Sequence, residues 1–348
     1  MHLPVPSGDL SRELANALLC NPSGEHAAYL PTVATGRLAS ASDVLDDGDL
    51  QLSLFMLYEL HYRGFAGVDD RWEWNPGLIS LRTQIEEAFE QALREAAGPV
   101  PSVEPSSSEV AQALFALAAS DAGPSVSKFI QRKANAAQAR EFLILKSIYQ
   151  LKEADPHTWA IPKLEGRAKA AMVEIQADEY GNGHLPRMHS ELFRQTMRGV
   201  GLRDDFGAYI NRIPAVTLAA VNMISLFGMH RRHRGAITGH LALYEMTSSI
   251  PQAAYARGFR RLGYESAVTD YFDEHVEADA VHEQIAGRDL AGGLAEDEPE
   301  LVPDILFGAQ AAAAVDALAG EQYLDAWEAG RSALLAGAEA EAGAGAVA

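Results

Sequence analysis

The chain has 348 residues, a single cysteine and a formal charge of −20, because 28 basic residues face 48 acidic ones. One cysteine excludes an intramolecular disulfide and a cysteine-rich zinc or iron–sulfur site. The acidic surface argues against nucleic acid or an anionic membrane as a partner. Carboxylates that bind metal cations would contribute to the same count.

Helical periodicity recurs along the chain, and no alternating strand pattern ending in a glycine-containing hairpin turn is found. The predicted fold class is therefore all-α. The predicted helices span 9–20, 48–64, 78–97, 108–120, 125–152, 161–180, 186–200, 206–210, 214–231, 235–248, 250–263, 266–287, 304–316 and 320–336.

Targeting and membrane signals are absent from the sequence pattern. The N-terminal sequence MHLPVPSGDLSREL lacks a basic stretch followed by an apolar run, so no signal peptide is expected. The most apolar segment, Ala215–His230, is too short and too polar to span a bilayer and is typical of a buried core helix. We expect a cytoplasmic protein with no membrane partner.

Two proline-containing stretches divide the chain. They are GPVPSVEPSSSE, residues 98–109, and LAEDEPELVPD, residues 294–304. The predicted organisation is given by four ranges: an N-terminal helical region that packs on the body (1–100), a helical body (101–292), C-terminal helices (293–336) and a low-complexity tail (337–348).

The stretch YFDEHVEADAVH, residues 271–282, contains the pattern H-x3-D-x2-H, formed by His275, Asp279 and His282. Residues at positions i, i+4 and i+7 share one helix face, so these three side chains point the same way. Two imidazoles and a carboxylate are suitable ligands for Fe(II), Mn(II) or Zn(II). Taken alone, the pattern is equally compatible with a solvated acidic face.

Other helices offer similar groups. Glu141 and Glu245 are isolated acids on apolar helices, where burial of a carboxylate is costly unless it is paired or binds a metal. Glu179 and His189 flank a Gly-Asn-Gly break at residues 181–183, and glycine in a helix costs about 1 kcal/mol. Carboxylates and imidazoles from four helices are what a dinuclear site in a helical bundle requires.

These elements together resemble the heme-oxygenase-like di-iron oxidases, and more closely the iron-containing redox enzymes. The resemblance covers about residues 40–290 and implies a heme-oxygenase-like helical bundle without haem, with an N-terminal helical extension. It also implies metal ligands at Glu141, Glu179, His189, Glu245, His275, Asp279 and His282. Glu174 or Asp178 remains an alternative to Glu141 or Glu179 in this set.

The resemblance implies that two iron ions, cycling between Fe(II) and Fe(III), use O2 as co-substrate to oxidise a small organic substrate. Manganese is the alternative metal, an external electron donor is an expected partner, and a homodimer is a further expectation. Three other functions stay open: a haem-binding or cofactorless relative, a non-catalytic metal-binding or ferroxidase-like protein, and a helical interaction protein. The glycines of GAITG, residues 235–239, fit either approach of a haem or close helix packing.

Overall fold

The computed structural model describes residues 1–22, 25–120 and 125–337, and at 277–281 it describes the backbone but not the side chains. Within these ranges the chain is helical and has no strand, which confirms the predicted all-α class. The α-helices are α1 (Asp9–Leu18), α2 (Leu30–Ser40), α3 (Gly48–Glu59), α4 (Pro76–Ala97), α5 (Ser107–Ala119), α6 (Val126–Arg132), α7 (Ala136–Gln150), α8 (Asp155–Thr158), α9 (Gly166–Glu179), α10 (His189–Gly199), α11 (Ala215–Met229), α12 (Arg234–Thr247), α13 (Ser249–Arg261), α14 (Ser266–Gln284), α15 (Gly292–Asp297) and α16 (Val302–Glu328).

Short 3₁₀ segments and one π-helical segment complete the helical structure. The 3₁₀ turns are Glu25–Ala27, Asp70–Trp72, Ile161–Lys163, Gly181–Gly183, Leu185–Arg187, Ile210–Arg212, Arg231–His233 and Pro299–Leu301. A π-helical segment, Ile285–Ala291, joins α14 directly to α15.

Helix caps explain one difference from the sequence prediction. The predicted helix 125–152 is two helices, α6 and α7, because Asn135 begins a new helix. Its side chain accepts a hydrogen bond from the Gln138 backbone N–H, and the Gln138 side chain accepts one in return from the Asn135 N–H. This reciprocal pair satisfies two backbone donors that would otherwise lack partners.

Three further helix predictions differ from the structure. The segments 304–316 and 320–336 are replaced by one helix, α16, in which the buried Gly320 is tolerated. Helix α2 was not predicted, because Pro31 and Gly36 interrupt its apolar pattern. The segment 206–210 consists of turns instead of a helix.

The described chain forms two compact units. The first contains residues 1–95 and 205–222 and the described residues from 334 onwards. In it, the buried Asp49 carboxylate of α3 accepts hydrogen bonds from the backbone N–H groups of Leu10 and Ser11, at 2.9 and 2.7 Å. These bonds satisfy the N-terminus of α1 and fix it against α3.

The second unit contains residues 96–204 and 223–333, so α16 belongs to the same unit as α7, α9, α10, α12 and α14. Helices α12 and α16 pack backbone to backbone. A Cβ atom on Gly239 would lie 1.8 Å from the Ile305 carbonyl oxygen, and one on Gly308 would lie 2.0 Å from the Ala236 carbonyl oxygen. These glycines therefore serve helix packing, and they leave no surface of α12 for a haem at this position.

One described helical stretch, Pro299–Glu328, is long and apolar enough to cross a membrane by length and composition alone, with a mean hydropathy of 1.4 in its most apolar window. Of that window, 56% is buried within the protein. The core helix of a globular protein meets the same criterion, and α16 packs along α12 in this way.

Candidate metal centre

The turn between α9 and α10 brings Glu179 and His189 together. Glu179 is the last residue of α9 and His189 the first of α10. Gly181 between them has φ +61°, and a Cβ there would lie 2.5 Å from the Arg187 carbonyl carbon. Only glycine fits such a position. The sharp turn places Oε2 of Glu179 3.1 Å from Nδ1 of His189.

Two more ligand-type side chains join this pair. One potential ligand atom from each of Glu153, Glu179, His189 and His275 lies within 4.8 Å of all the others. The imidazole rings of His189 and His275 are 4.3 Å apart between centroids, and both side chains are almost fully buried. Two carboxylates and two imidazoles form a mixed oxygen and nitrogen donor set that suits iron, manganese or zinc.

Tyr271 fixes the orientation of two of these groups. Its hydroxyl donates to the Glu153 carboxylate, with both oxygens at 3.0 Å, and its backbone carbonyl accepts from Nδ1 of His275 at 2.8 Å. His275 therefore keeps Nε2 for the cluster, and this atom lies 3.7 Å from Oε1 of Glu153. A backbone acceptor on the far ring nitrogen is how proteins commonly hold a metal-binding histidine.

The backbone beside Glu153 is in an unusual conformation. Glu153 lies in the turn that follows α7, and the next residue, Ala154, has φ +75°. Positive φ is uncommon for a residue with a Cβ and costs of order 1–3 kcal/mol. The turn thus holds Glu153 toward the cluster at some cost in stability.

A second group of ligand-type side chains lies within electrostatic range of Glu179. His282 is seven residues after His275, about two helical turns along α14. Its Nε2 donates to Oδ2 of Asp178 at 2.9 Å, and its Nδ1 lies 3.3 Å from Oε2 of Glu245 on α12. Glu245 and His282 are 7% and 2% exposed, so this pair is also shielded from water.

Charges couple the two groups through Glu179. Burial would raise the pKa of the Glu179 carboxyl, but the imidazoles of His189, His275 and His282 together lower it to about 2. Burial opposes protonation of His282, yet the neighbouring carboxylates of Glu245 and Asp178 raise its pKa to about 9. Glu179 is the carboxylate that interacts with all three histidines.

The cluster contains buried atoms that the protein itself does not satisfy. Oε2 of Glu179, Nδ1 of His189 and Nδ1 of His282 have no hydrogen-bond partner among the described residues. The contacts of 3.1 and 3.3 Å made by these atoms each bring a carboxylate oxygen close to an imidazole nitrogen without hydrogen-bond alignment. Buried polar atoms are otherwise almost always paired. Unsatisfied carboxylate oxygens and imidazole nitrogens of this kind are suitable ligands for metal cations.

The structure brings together most, but not all, of the residues singled out from the sequence. Glu179, His189, Glu245, His275 and His282 converge. The side chain of Asp279 lies outside the described part of the chain.

Glu141 does not join them. Its Oε2 accepts hydrogen bonds from Nε1 of Trp327, at 2.8 Å, and from the backbone N–H of Ala333, at 3.0 Å. It therefore ties the start of α7 to the end of α16, and Glu153, after the opposite end of α7, contributes the carboxylate to the cluster. Glu153 could have been found in the sequence, because it is also an acid at the end of an apolar helix and directly precedes the break Ala154-Asp155-Pro156.

The two alternative ligands also have defined positions. Glu174 is exposed on α9. Asp178, whose side chain is 44% exposed, holds Nε2 of His282 and thereby leaves Nδ1 to face Glu245. Asp178 is thus a positioning partner of His282 in this arrangement.

An all-helical protein whose helices gather buried imidazoles and carboxylates belongs, as a class, with the proteins that can hold metal ions in a helical bundle. A family model described as iron-containing redox enzyme matches residues 140–317, which is 178 of 348 residues and so more than half of the chain. All described members of the cluster fall within this range. The chain belongs to the iron-containing redox enzyme family.

A curated relative supports the same assignment. The chain is similar to nitrosourea synthase from Streptomyces achromogenes subsp. streptozoticus, with 28% identity over 173 residues. The similar segment is 49% of this chain and 36% of the relative, so the chain spans only about a third of that protein.

Proposed function

We propose that this protein is a non-haem di-iron oxidoreductase that activates O2 to oxidise a small organic substrate. The observation that carries the proposal is that Glu179 interacts with the imidazoles of two groups of buried ligands. Glu179 forms one group with His189, His275 and Glu153, and His282 and Glu245 form the other. A carboxylate shared by two imidazole-containing groups is the arrangement that a dinuclear centre needs.

In this proposal Glu153, Glu179, His189 and His275 hold one metal, and Glu179, Glu245 and His282 hold the second. Iron bound there would supply the electrons and the Lewis acidity for O2 reduction, with manganese as the alternative metal. The protein orients the ligands through Tyr271 and Asp178. The low exposure of the histidines keeps bulk water away from the reacting groups.

The relative's name favours one class of reaction. A nitrosourea carries an oxidised nitrogen, and N-oxygenation is one of the outcomes open to an O2-activating centre. We infer that the substrate of this protein contains a nitrogen that is oxidised.

Anaerobic titration with Fe(II) tests the proposal. The full chain is expected to bind two iron ions. Metal analysis and Mössbauer spectra of a sample enriched in the 57Fe isotope measure this binding. After O2 is admitted, the iron should become oxidised with consumption of O2. His275→Ala and His282→Ala remove imidazoles from different groups, so each variant should lose about half of the bound iron.

Glu174→Gln is the matched control, because Glu174 is an exposed acid on the helix that ends with Glu179. It should bind two iron ions like the wild type. Iron binding that does not change in the two histidine variants contradicts the proposed centre. Stoichiometric iron binding without O2 consumption would instead identify a metal-binding protein without oxidase chemistry.

A further inference from the structure

The short helix α8, Asp155–Thr158, begins two residues after Glu153. The residue between them, Ala154, has φ +75°. A helix of four residues is too short to be stable by itself, and positive φ at a residue with a Cβ costs free energy. Contacts with the rest of the protein must therefore hold this turn in place, and Glu153 with it.

Two hydroxyl groups connect α8 to the C-terminal end of α9. Tyr180, which directly follows Glu179, donates its hydroxyl to Oδ1 of Asp155 at 2.9 Å. The same hydroxyl lies 2.9 Å from Oγ1 of Thr158, and that oxygen lies 3.2 Å from the carbonyl oxygen of Ala154. The hydroxyl pair thus contacts both ends of α8 and the residue with positive φ.

Thr158 is connected to α9 at a second point. Its Oγ1 lies 2.9 Å from Oε1 of Gln176, which is buried about one helical turn before Glu179. The side chains of Thr158, Tyr180 and Gln176 therefore form a continuous polar set along the last turn of α9. This set joins the two backbone segments that carry the carboxylates of Glu153 and Glu179.

Two other helices also hold α8. Nε2 of His157 lies 3.1 Å from Nδ1 of His240 on α12, and both imidazoles are almost fully buried. The carbonyl oxygen of Pro156 lies so close to α11 that a Cβ on Gly228 would be 2.4 Å from it. Because these contacts fix α8 against α11 and α12, the hydroxyl contacts with α9 decide how the turn at Glu153 is placed relative to α9.

We propose that Tyr180 and Thr158 are positioning residues of the metal centre. Their hydroxyl groups hold the turn at Ala154, and this turn holds the Glu153 carboxylate beside Glu179. Without these hydroxyls the backbone at Ala154 can relax toward a negative φ, which turns Glu153 away from the cluster. A strained backbone conformation persists only where the surrounding structure over-determines it. The inference rests on the proposed function only in treating Glu153 and Glu179 as metal ligands.

Titration with Co(II) alone, monitored through the visible absorption of the bound ion, tests this role. The full chain with His282→Ala is the parent, because it leaves the group that contains Glu153 as the site for one ion. Tyr180→Phe should weaken Co(II) binding about tenfold and change its spectrum, since a charged hydrogen bond that holds a ligand is lost. Thr158→Val should weaken binding too, whereas Thr158→Ser, which keeps the hydroxyl, should bind like the parent.

Tyr29→Phe is the matched control. Tyr29 is exposed, and its hydroxyl also donates to a carboxylate, that of Glu13. This variant should bind Co(II) like the parent. A double-mutant cycle then separates positioning from a general loss of stability. In a parent that also carries Glu153→Gln, Tyr180→Phe should change the Co(II) affinity by less than about twofold. An equal loss of affinity with and without the Glu153 carboxylate would overturn the inference.

Hydrogen exchange of the metal-free chain measures the turn itself. The backbone amides of residues 155–160 should exchange at least about fivefold faster in Tyr180→Phe than in the parent, because α8 opens more often. The same amides should be unchanged in Tyr29→Phe. Exchange in Tyr180→Phe that equals that of the parent would show that the hydroxyl does not hold α8.

Anaerobic Fe(II) binding by chains with native His282 separates this inference from the proposed function. A chain that binds a single iron ion, with an affinity that depends on Tyr180, supports the positioning role and sinks the di-iron proposal. Two bound iron ions whose affinities are unchanged by Tyr180→Phe and Thr158→Val leave the di-iron proposal standing and sink the positioning role. A chain that binds no metal sinks both.

Discussion

Oε2 of Glu179 lies 3.1 Å from Nδ1 of His189, although the two residues belong to different helices. The turn at residues 181–183 makes this possible, because the chain passes very close to itself there. A Cβ atom on Gly181 would lie 2.6 Å from the Met188 backbone nitrogen. Neither atom of the pair has a hydrogen-bond partner among the described residues. The turn therefore creates a local arrangement that the protein alone leaves unsatisfied.

Gly181→Ala is expected to reduce both stability and iron binding. The new Cβ would clash with backbone atoms of Arg187 and Met188 in addition to the strain at φ +61°. Gly183→Ala is the control, since Gly183 has φ +79° with nothing within 4 Å of its Cβ position. The control should lose about 1 kcal/mol of unfolding free energy and keep its iron. Equal iron affinity in the two variants would show that the turn does not set the centre.

Glu153→Gln and Glu141→Gln separate the two candidate acids of α7. Glu153→Gln should lose iron, because a neutral amide is a weak ligand for iron. Glu141→Gln should bind two iron ions but unfold more easily, because its charged hydrogen bonds to Trp327 and Ala333 are weakened. Iron analysis and urea unfolding measure the two effects. The reverse pattern would return Glu141 to the centre.

The comparison of these two acids shows what the sequence can and cannot predict. Periodicity identified the all-α class and the shared face of His275 and His282, because helical spacing is a local property. The choice between Glu141 and Glu153 is not local. It depends on where α7 ends and on Trp327, which is 186 residues from Glu141 in the chain. No periodic pattern contains that information.

Other features were equally dependent on tertiary contacts. From the sequence, Gly235 and Gly239 fit either the approach of a haem or close helix packing. The choice between these two roles required the position of Ile305 on α16. By contrast, the cap at Asn135 was readable from its spacing to Gln138, and the prediction of a single helix over 125–152 overlooked it.

Gly239→Ala tests the packing of α12 on α16. Its Cβ would lie 1.8 Å from the Ile305 carbonyl oxygen, so the two helices must separate. We expect a loss of roughly 3 kcal/mol or more of unfolding free energy, the upper range for overpacking. Gly36→Ala on α2 has nothing within 4 Å of its Cβ position and should stay within about 1 kcal/mol of the wild type. Similar urea midpoints for both variants would contradict this packing.

His157 predicts how stability depends on pH. Burial lowers its pKa to about 4, and its Nε2 lies 3.1 Å from Nδ1 of His240. In the unfolded chain the His157 imidazole takes up a proton near pH 6.5, whereas in the folded chain it does so only near pH 4. The free energy of unfolding therefore falls as pH falls between these values. From pH 7 to pH 5 the contribution of His157 is a loss of about 2 kcal/mol.

Urea unfolding at both pH values, with a chelator present, measures this loss. His157→Gln should reduce the difference between pH 7 and pH 5 by about 2 kcal/mol relative to wild type. His184→Gln, which changes an exposed imidazole, should show the wild-type difference. An unchanged pH dependence in His157→Gln would mean that His157 accepts a proton in the folded protein.

Metal binding should release a proton from His282. Its pKa is raised to about 9 by Glu245 and Asp178, so below that pH the metal-free imidazole carries a proton that a metal on Nδ1 must displace. Affinity for a divalent metal should therefore increase with pH up to about 9 and level off above it. The stability of the metal-free protein depends on pH in the opposite direction. The charged His282 stabilises the fold fully below pH 6.5, and this contribution is lost as pH rises through 9.

Calorimetry in buffers of different ionisation enthalpy counts the released protons. Zn²⁺ at pH 7.5 avoids oxidation during the measurement. His282→Asn should release about one proton fewer than wild type, and its metal affinity should rise less steeply between pH 7 and pH 9. Glu174→Gln, which changes an exposed acid of α9 and leaves His282 and Asp178 in place, should match the wild-type proton count. A proton count that is the same in His282→Asn and wild type would remove His282 from the metal site.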